Sequence, residues 1–169
     1  MDLGAAGLIE QPFPTHGKPL AVVTYQSQRD ALEVLRKTLE HPTGLSLLQG
    51  PALSGKSVLV RSFRDSIDEE HATAIVDGKG LNTTNLLLAI LRNFGYELDL
   101  SSANELLGLI RVFALQQATS GTPPLIIIEH AHELNPSGLR ALCELAELRT
   151  RSGSALKIVL LSERSLSSM

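Results

Sequence analysis

The chain has 169 residues, a net charge of −3, and 43% hydrophobic against 20% charged residues, which excludes a disordered tail and suits one domain with a real core. The acidic balance gives no global attraction to nucleic acid, and 4% aromatics without Trp leave no stacking platform for single-stranded bases, although a local basic patch stays open. One cysteine, Cys143, rules out an intrachain disulfide and a cysteine zinc cluster and suits a reducing compartment.

Pro12, Pro14, Gly17 and Pro19 make residues 1–24 an irregular N-terminal segment, ahead of a core predicted over 25–169. Met1 to Glu10 has neither a basic region nor a long apolar run, so no signal peptide is expected. No stretch approaches the ~18 apolar residues of a membrane span. A cytoplasmic location follows as an expectation, with any membrane anchor carried elsewhere in a full-length protein. Ser27 is predicted to cap a helix from Gln28 to about Glu40, with Ala31, Leu32, Leu35 and Leu39 on one face. Leu45–Gln49 reads as a short strand, Gly55 to about Ser66 as a helix, and Ala72–Val76 as a second strand. Asp77-Gly78-Lys79-Gly80 is a turn. Lys79 between glycines could touch phosphate, but a plain turn is preferred. Thr83 or Thr84 is predicted to cap a helix ending at Gly95. Ser102-Ala103-Asn104-Glu105 matches a capping box for a helix to about Thr119. Leu125–Ile128 is an apolar strand. Asn135-Pro136 opens a helix to about Arg149, in which Cys143 reads as a small core residue beside Leu139, Leu142 and Ala146. Arg151–Ser154 is polar loop, and Leu156–Leu161 a fourth strand. Strands alternate with helices, and two strands are apolar throughout. The fold class is therefore α/β, a three-layer arrangement with a mostly parallel sheet flanked by helices.

The segment Gly50-Pro51-Ala52-Leu53-Ser54-Gly55-Lys56-Ser57 matches G-x-x-x-x-G-K-[ST] at every fixed position, between a strand and a helix. The two glycines let the backbone approach phosphates closely, and successive N–H groups with the helix N-terminus attract the anion. Lys56 brings a point charge to the β- and γ-phosphates, Ser57 brings a hydroxyl to Mg²⁺, and Val58 continues the cradle into the helix. The ligand read from this loop is a nucleoside triphosphate, with ATP and Mg²⁺ the expected pair.

P-loop ATPases need a second strand ending in an acid that serves the metal, followed by a Glu that activates water. Leu125 to Ile128 leading into Glu129-His130-Ala131-His132-Glu133 is the candidate. Glu129, His130 and His132 could make a zinc site on paper, but histidines at i and i+2 in a loop are poor ligands without further partners.

These stretches resemble the AAA+ ATPases of the general secretion pathway, the ExeA/GspA-like group, which is itself similar to pilus-biogenesis and TniB-type transposition ATPases. The likeness runs through Gln11-Pro12-Phe13, Tyr25 with Ala31-Leu32, Leu47 to Ser57, Ile126 to Leu134, and Leu156 to Leu160. It implies an AAA+-type P-loop fold, ATP rather than GTP, and a polar sensor at the end of the fourth strand, where Ser162 stands. Tyr25 would pack near adenine in that arrangement. At the second acidic strand the family pattern is Asp-Glu-Ala-His. Here Glu129 replaces the metal-serving Asp, and His130 occupies the column of the water-activating Glu, with Glu133 close by. Past the fourth strand the family continues with a fifth strand, an arginine finger and a helical lid; this chain is expected to be an excised piece with the lid absent, and neither Arg164, Arg149 nor Arg151 suits the finger. The resemblance implies Mg-dependent ATP binding and hydrolysis that drives or gates assembly of an envelope or secretion machine, with a protein partner from that machine and a possible homo-oligomer. Two alternatives stay open: a hydrolysis-weak, nucleotide-gated interaction module, and a transposition-type DNA regulator, although direct DNA binding is disfavoured by charge.

Overall fold

A computed structural model of the chain describes residues 26–40, 42–67, 71–98, 102–164 and 166. The predicted N-terminal segment, Gln11-Pro12-Phe13 and Tyr25 lie outside these residues. The elements run α1 (Gln26–Glu40), β1 (Leu45–Gln49), α2 (Lys56–Asp65), β2 (Thr73–Asp77), α3 (Thr83–Asn93), α4 (Ala103–Thr119), β3 (Leu125–Glu129), a 3₁₀ turn (Ala131–Glu133), α5 (Pro136–Ala146), β4 (Arg149–Thr150), β5 (Gly153–Ser154) and β6 (Lys157–Ser162).

Four strands form one parallel sheet in the order β1-β6-β3-β2. The two apolar strands, β3 and β6, take the two central places, where both faces are covered. Alternation along them sorts the core into two layers. Ile126, Ile128, Ile158 and Leu160 face α3, α4 and α5, packing with Leu86, Ile90, Ile110 and Leu142. Leu125, Ile127, Val159 and Leu161 face the other way, onto Leu35 of α1 and Leu59, Val60 and Phe63 of α2. Each such fully buried side chain stabilises the fold by about 1.5–3 kcal/mol relative to exposure. The result is the expected three-layer α/β sandwich. Its register sets Gln49 beside Ser162 and Asp77 beside Glu129, so the carboxyl ends of the strands meet at one rim.

Local chemistry moved several element ends. Asn82, not Thr83 or Thr84, caps α3, its side chain accepting from Asn85 N at 2.8 Å. Thr83 turns outward instead to donate to Ser137 Oγ. Ser102 sits at the N-cap of α4 but makes no side-chain cap bond, so the capping box is not formed. Ser27 lies inside the first turn of α1 rather than ahead of it. Asn135 does cap α5, accepting from Gly138 N at 2.6 Å with Pro136 next. That helix ends at Ala146, and the expected loop after it is an antiparallel hairpin of β4 and β5. Cys143 is exposed, which corrects its reading as a core residue. The buried stripe of α5 passes through Gly138, Ala141, Leu142, Leu145 and Ala146, and residue 143 lies one step beyond its edge.

Candidate functional site

Residues 50–57 join the end of β1 to the start of α2, across the top of the sheet. Gly50 N donates to Ser162 O at 3.1 Å, which ties the loop's first residue to the neighbouring strand. Gly55, the N-cap of α2, has φ +84°, and Leu53 has φ +60° with its side chain fully exposed. Left-handed residues at these two places turn successive N–H groups toward one side of the loop, as anion-binding nests require. The first helical bond runs from Leu59 N to Gly55 O at 2.9 Å, so the N–H groups of Lys56, Ser57 and Val58 carry no helix bond and sit at the positive end of the helix dipole.

Lys56 folds back over its own loop. Its Nζ donates to Pro51 O at 2.6 Å, Gly50 O at 2.8 Å and Ser54 Oγ at 3.2 Å. The ammonium is thus held at the centre of the curve that the backbone makes.

Leu53, Ser54, Gly55, Lys56, Ser57 and Val58 line one side of a cleft of about 360 Å³, and Glu129, His130, Leu161 and Glu163 line the other. A larger hollow of about 650 Å³ opens at the end of α3 beside Arg92, Tyr96 and Glu97. The smaller cleft has the stronger claim to chemistry, because it combines a helix N-terminus, a lysine, a hydroxyl and carboxylates. Ser57 and Glu129, from opposite walls, supply the hydroxyl and carboxylate oxygens that suit Mg²⁺. Such an ion takes few protein ligands and completes its shell with phosphate and water. Among the described residues no three His, Cys, Asp or Glu side chains group as a metal cage.

His130 follows β3 in a left-handed conformation, φ 50° and ψ 40°. Its Nδ1 lies 2.7 Å from Asp77 Oδ1 at the end of β2. The same oxygen accepts from Lys79 N at 3.1 Å, so the Asp77–Gly80 turn serves the cleft indirectly and Lys79 contributes its backbone there. Partial burial pushes the Asp77 carboxyl up, but the Lys79 N–H and then the His130 imidazole outweigh it and hold the group below the ordinary aspartate value. His132 points elsewhere. Its nearly buried ring accepts from Glu163 N at 3.4 Å, linking the 3₁₀ turn to the end of β6. The His130 and His132 rings are 6.2 Å apart and tilted by 58°.

Ser162 is fully buried and is not among the residues lining the cleft. Its hydroxyl donates to Arg164 O and accepts from Arg164 N, closing a turn at the strand end. Strand alternation sends its side chain away from the phosphate loop and leaves Glu163 facing it. Glu163 and Asp77 were the residues that sequence reasoning missed. For Asp77 the signal in the sequence was its place directly after the second predicted strand, Ala72–Val76.

Fold and site together define a P-loop nucleotide-binding domain. A family profile described as an AAA domain matches residues 36–169, and the chain belongs to that family, the AAA+ P-loop ATPases. Among solved structures it is similar to Cdc6p from Pyrobaculum aerophilum, with a TM-score of 0.63 at 17% identity, covering 87% of this chain and 42% of that one. The ORC2 protein of Aeropyrum pernix, solved as ADPNP–ADP complexes, gives 0.62 at 16% identity, covering 88% and 43%. The Pif1 helicase of Candida albicans gives 0.51 at 19% identity, covering 84% and 33%. These likenesses concern the fold, and the chain spans less than half the length of each of those proteins. No curated protein matches the chain.

Proposed function

We propose that this domain binds ATP with Mg²⁺ and hydrolyses it, using the cycle to drive or gate assembly of an envelope or secretion machine. The observation that carries the reading is the convergence of Lys56, Ser57, Glu129 and His130 on one cleft. The backbone N–H groups of residues 53–58 and the Lys56 ammonium bind the β- and γ-phosphates. Ser57 and Glu129 hold Mg²⁺, which when bound neutralises charge on the phosphates. His130 accepts the proton of the attacking water, a role open to the unprotonated nitrogen of a neutral imidazole. The complexes of the Aeropyrum pernix protein with ADPNP and ADP support an adenine nucleotide as ligand.

The biological setting comes from the resemblance to the ExeA/GspA-like group. It brings with it a cytoplasmic location, a protein partner from the machine and self-association. No helix among the described residues is long and apolar enough to cross a membrane. A second reading, a nucleotide-gated interaction module with weak turnover, is favoured by one observation. An imidazole paired to Asp77 stands where an acid would activate water.

The test is ATP binding by calorimetry and phosphate release with Mg²⁺, beside the Lys56→Ala variant. Binding with steady turnover supports the ATPase, binding without turnover supports the gated module, and no binding removes both.

A further inference from the structure

We infer that the outward face of α4 is a self-association surface, on which a second copy of this chain docks antiparallel about a two-fold axis level with Gly108. The inference goes beyond the nucleotide reading and does not rest on it, since α4 lends no residue to the cleft. α4 is the longest helix among the described residues, and Leu106, Ile110, Ala114 and Ala118 bury one face of it in the core. The opposite face follows steps of four and three residues through Asn104, Gly108, Val112, Leu115 and Thr119. Val112 is 55% exposed and Leu115 38%. No member of this seam is charged. The outward face of α1 in the same domain is different. It carries Arg29, Asp30, Glu33, Arg36, Lys37 and Glu40, all exposed, as a solvated helix face does.

Gly108 sits inside this seam. A glycine within a helix costs stability relative to alanine, so it calls for a reason. Its own chain supplies none, because a Cβ built there meets nothing within 4 Å. A glycine with open space outside it lets another helix come close. The flanking charges select which helix. Glu105 and Arg111 lie three residues before and three after Gly108, about 4.5 Å along the helix on either side. A two-fold axis at Gly108 reverses one copy against the other. It sets Glu105 level with Arg111 of the second copy, and Arg111 level with Glu105 of the second copy, so one attraction is made twice. Parallel copies would set like charge against like. Arg111 also donates to Glu144 of α5 at 3.4 Å, with both side chains half-exposed. That bond holds it at the edge of the face, and a guanidinium has N–H groups enough for both carboxylates. Val112 comes level with Asn104 of the second copy, and the two glycines meet at the axis. Such a contact is closed, so association stops at the dimer.

The experiment is sedimentation velocity of the full chain from micromolar to millimolar concentration, without nucleotide. One helix face is a small interface, so a monomer–dimer equilibrium with Kd on the order of 10–100 μM is expected. Gly108→Arg leaves the fold intact, because the position is open and Arg is a better helix former than Gly. It should weaken dimerisation by roughly 10-fold or more while the melting temperature holds or rises. Glu105→Arg and Arg111→Glu should each weaken it by roughly 3–10-fold. An equimolar mixture of those two variants should recover it, since each chain then faces its opposite charge at both places. A parent that stays monomeric to about 1 mM overturns the proposal. A Gly108→Arg variant that dimerises like the parent overturns it too, because the contact then lies on another face. A mixture as weak as its components overturns the antiparallel two-fold arrangement.

Discussion

The Nζ of Lys56 lies 2.6 Å from the carbonyl oxygen of Pro51 and 2.8 Å from that of Gly50, so the lysine of the phosphate loop closes the loop on itself. The same ammonium that would meet a β-phosphate also neutralises the backbone oxygens on the loop's inner side. Binding a nucleotide is then an exchange of acceptors around one cation rather than the ordering of a loose side chain.

Lys56→Ala is expected to weaken ATP binding by roughly 100-fold or more, since charged hydrogen bonds are worth about 1.5–3 kcal/mol each and more than one is lost. Calorimetric titration with Mg-ATP checks this, with circular dichroism confirming the fold. Unchanged affinity would mean that the loop does not cradle phosphate.

Gly44 precedes β1 with no room for a side chain. A Cβ there would press against Ala146 O, Leu156 O and Ser154 Oγ closer than real contacts allow, and two of these atoms are backbone. Gly44→Ala should therefore destabilise the domain by about 1–3 kcal/mol or more. A urea midpoint equal to the parent's would show that the junction of α5 and β6 yields easily.

His130→Glu restores the family's acid but sets it against Asp77, where the ring now sits at 2.7 Å. Two carboxylates at such range near the surface repel by roughly 1 kcal/mol or more. The single variant should melt below the parent, and His130→Glu with Asp77→Asn should recover the difference. Equal melting temperatures for the single and double variants would place the new side chain away from Asp77.

Lys157 is almost buried within β6, and burial first, then the Arg149 charge, holds its ammonium below the ordinary value of 10.5. Between the lowered value and 10.5 the unfolded chain binds the proton more readily than the folded one, so this residue's contribution to stability rises with pH across that interval. Below the interval the buried charge weighs against the fold in full. Urea unfolding of the parent and Lys157→Met, from neutral to about pH 10, should show the parent gaining relative to the variant. A flat difference would mean that the ammonium reaches water.

The phosphate loop and the sheet were legible in the sequence because each rests on local pattern. G-x-x-x-x-G-K-S between a strand and a helix has few other uses, and the unbroken apolar run at Leu125–Ile128 belongs at the centre of a parallel sheet. All four principal strands were placed within a residue of their ends. The misses were of another kind. Whether Asn82 or Thr83 caps α3 depends on Ser137, far along the chain, engaging the threonine hydroxyl. Cys143 missed the core because the apolar stripe of α5 is narrower than its composition suggested.

Chain order alone therefore determined that one loop would present a lysine, a hydroxyl and a row of N–H groups at a helix start. What stands opposite that loop was decided by tertiary structure. Strand register, a non-local property, set Asp77 beside Glu129 and so within reach of His130. Strand alternation, counted from a β6 end known only once the strand had paired, buried Ser162 and left Glu163 on the cleft. Motifs report the chemistry that neighbours in sequence can make; strands 52 residues apart can meet side by side only after the sheet has formed.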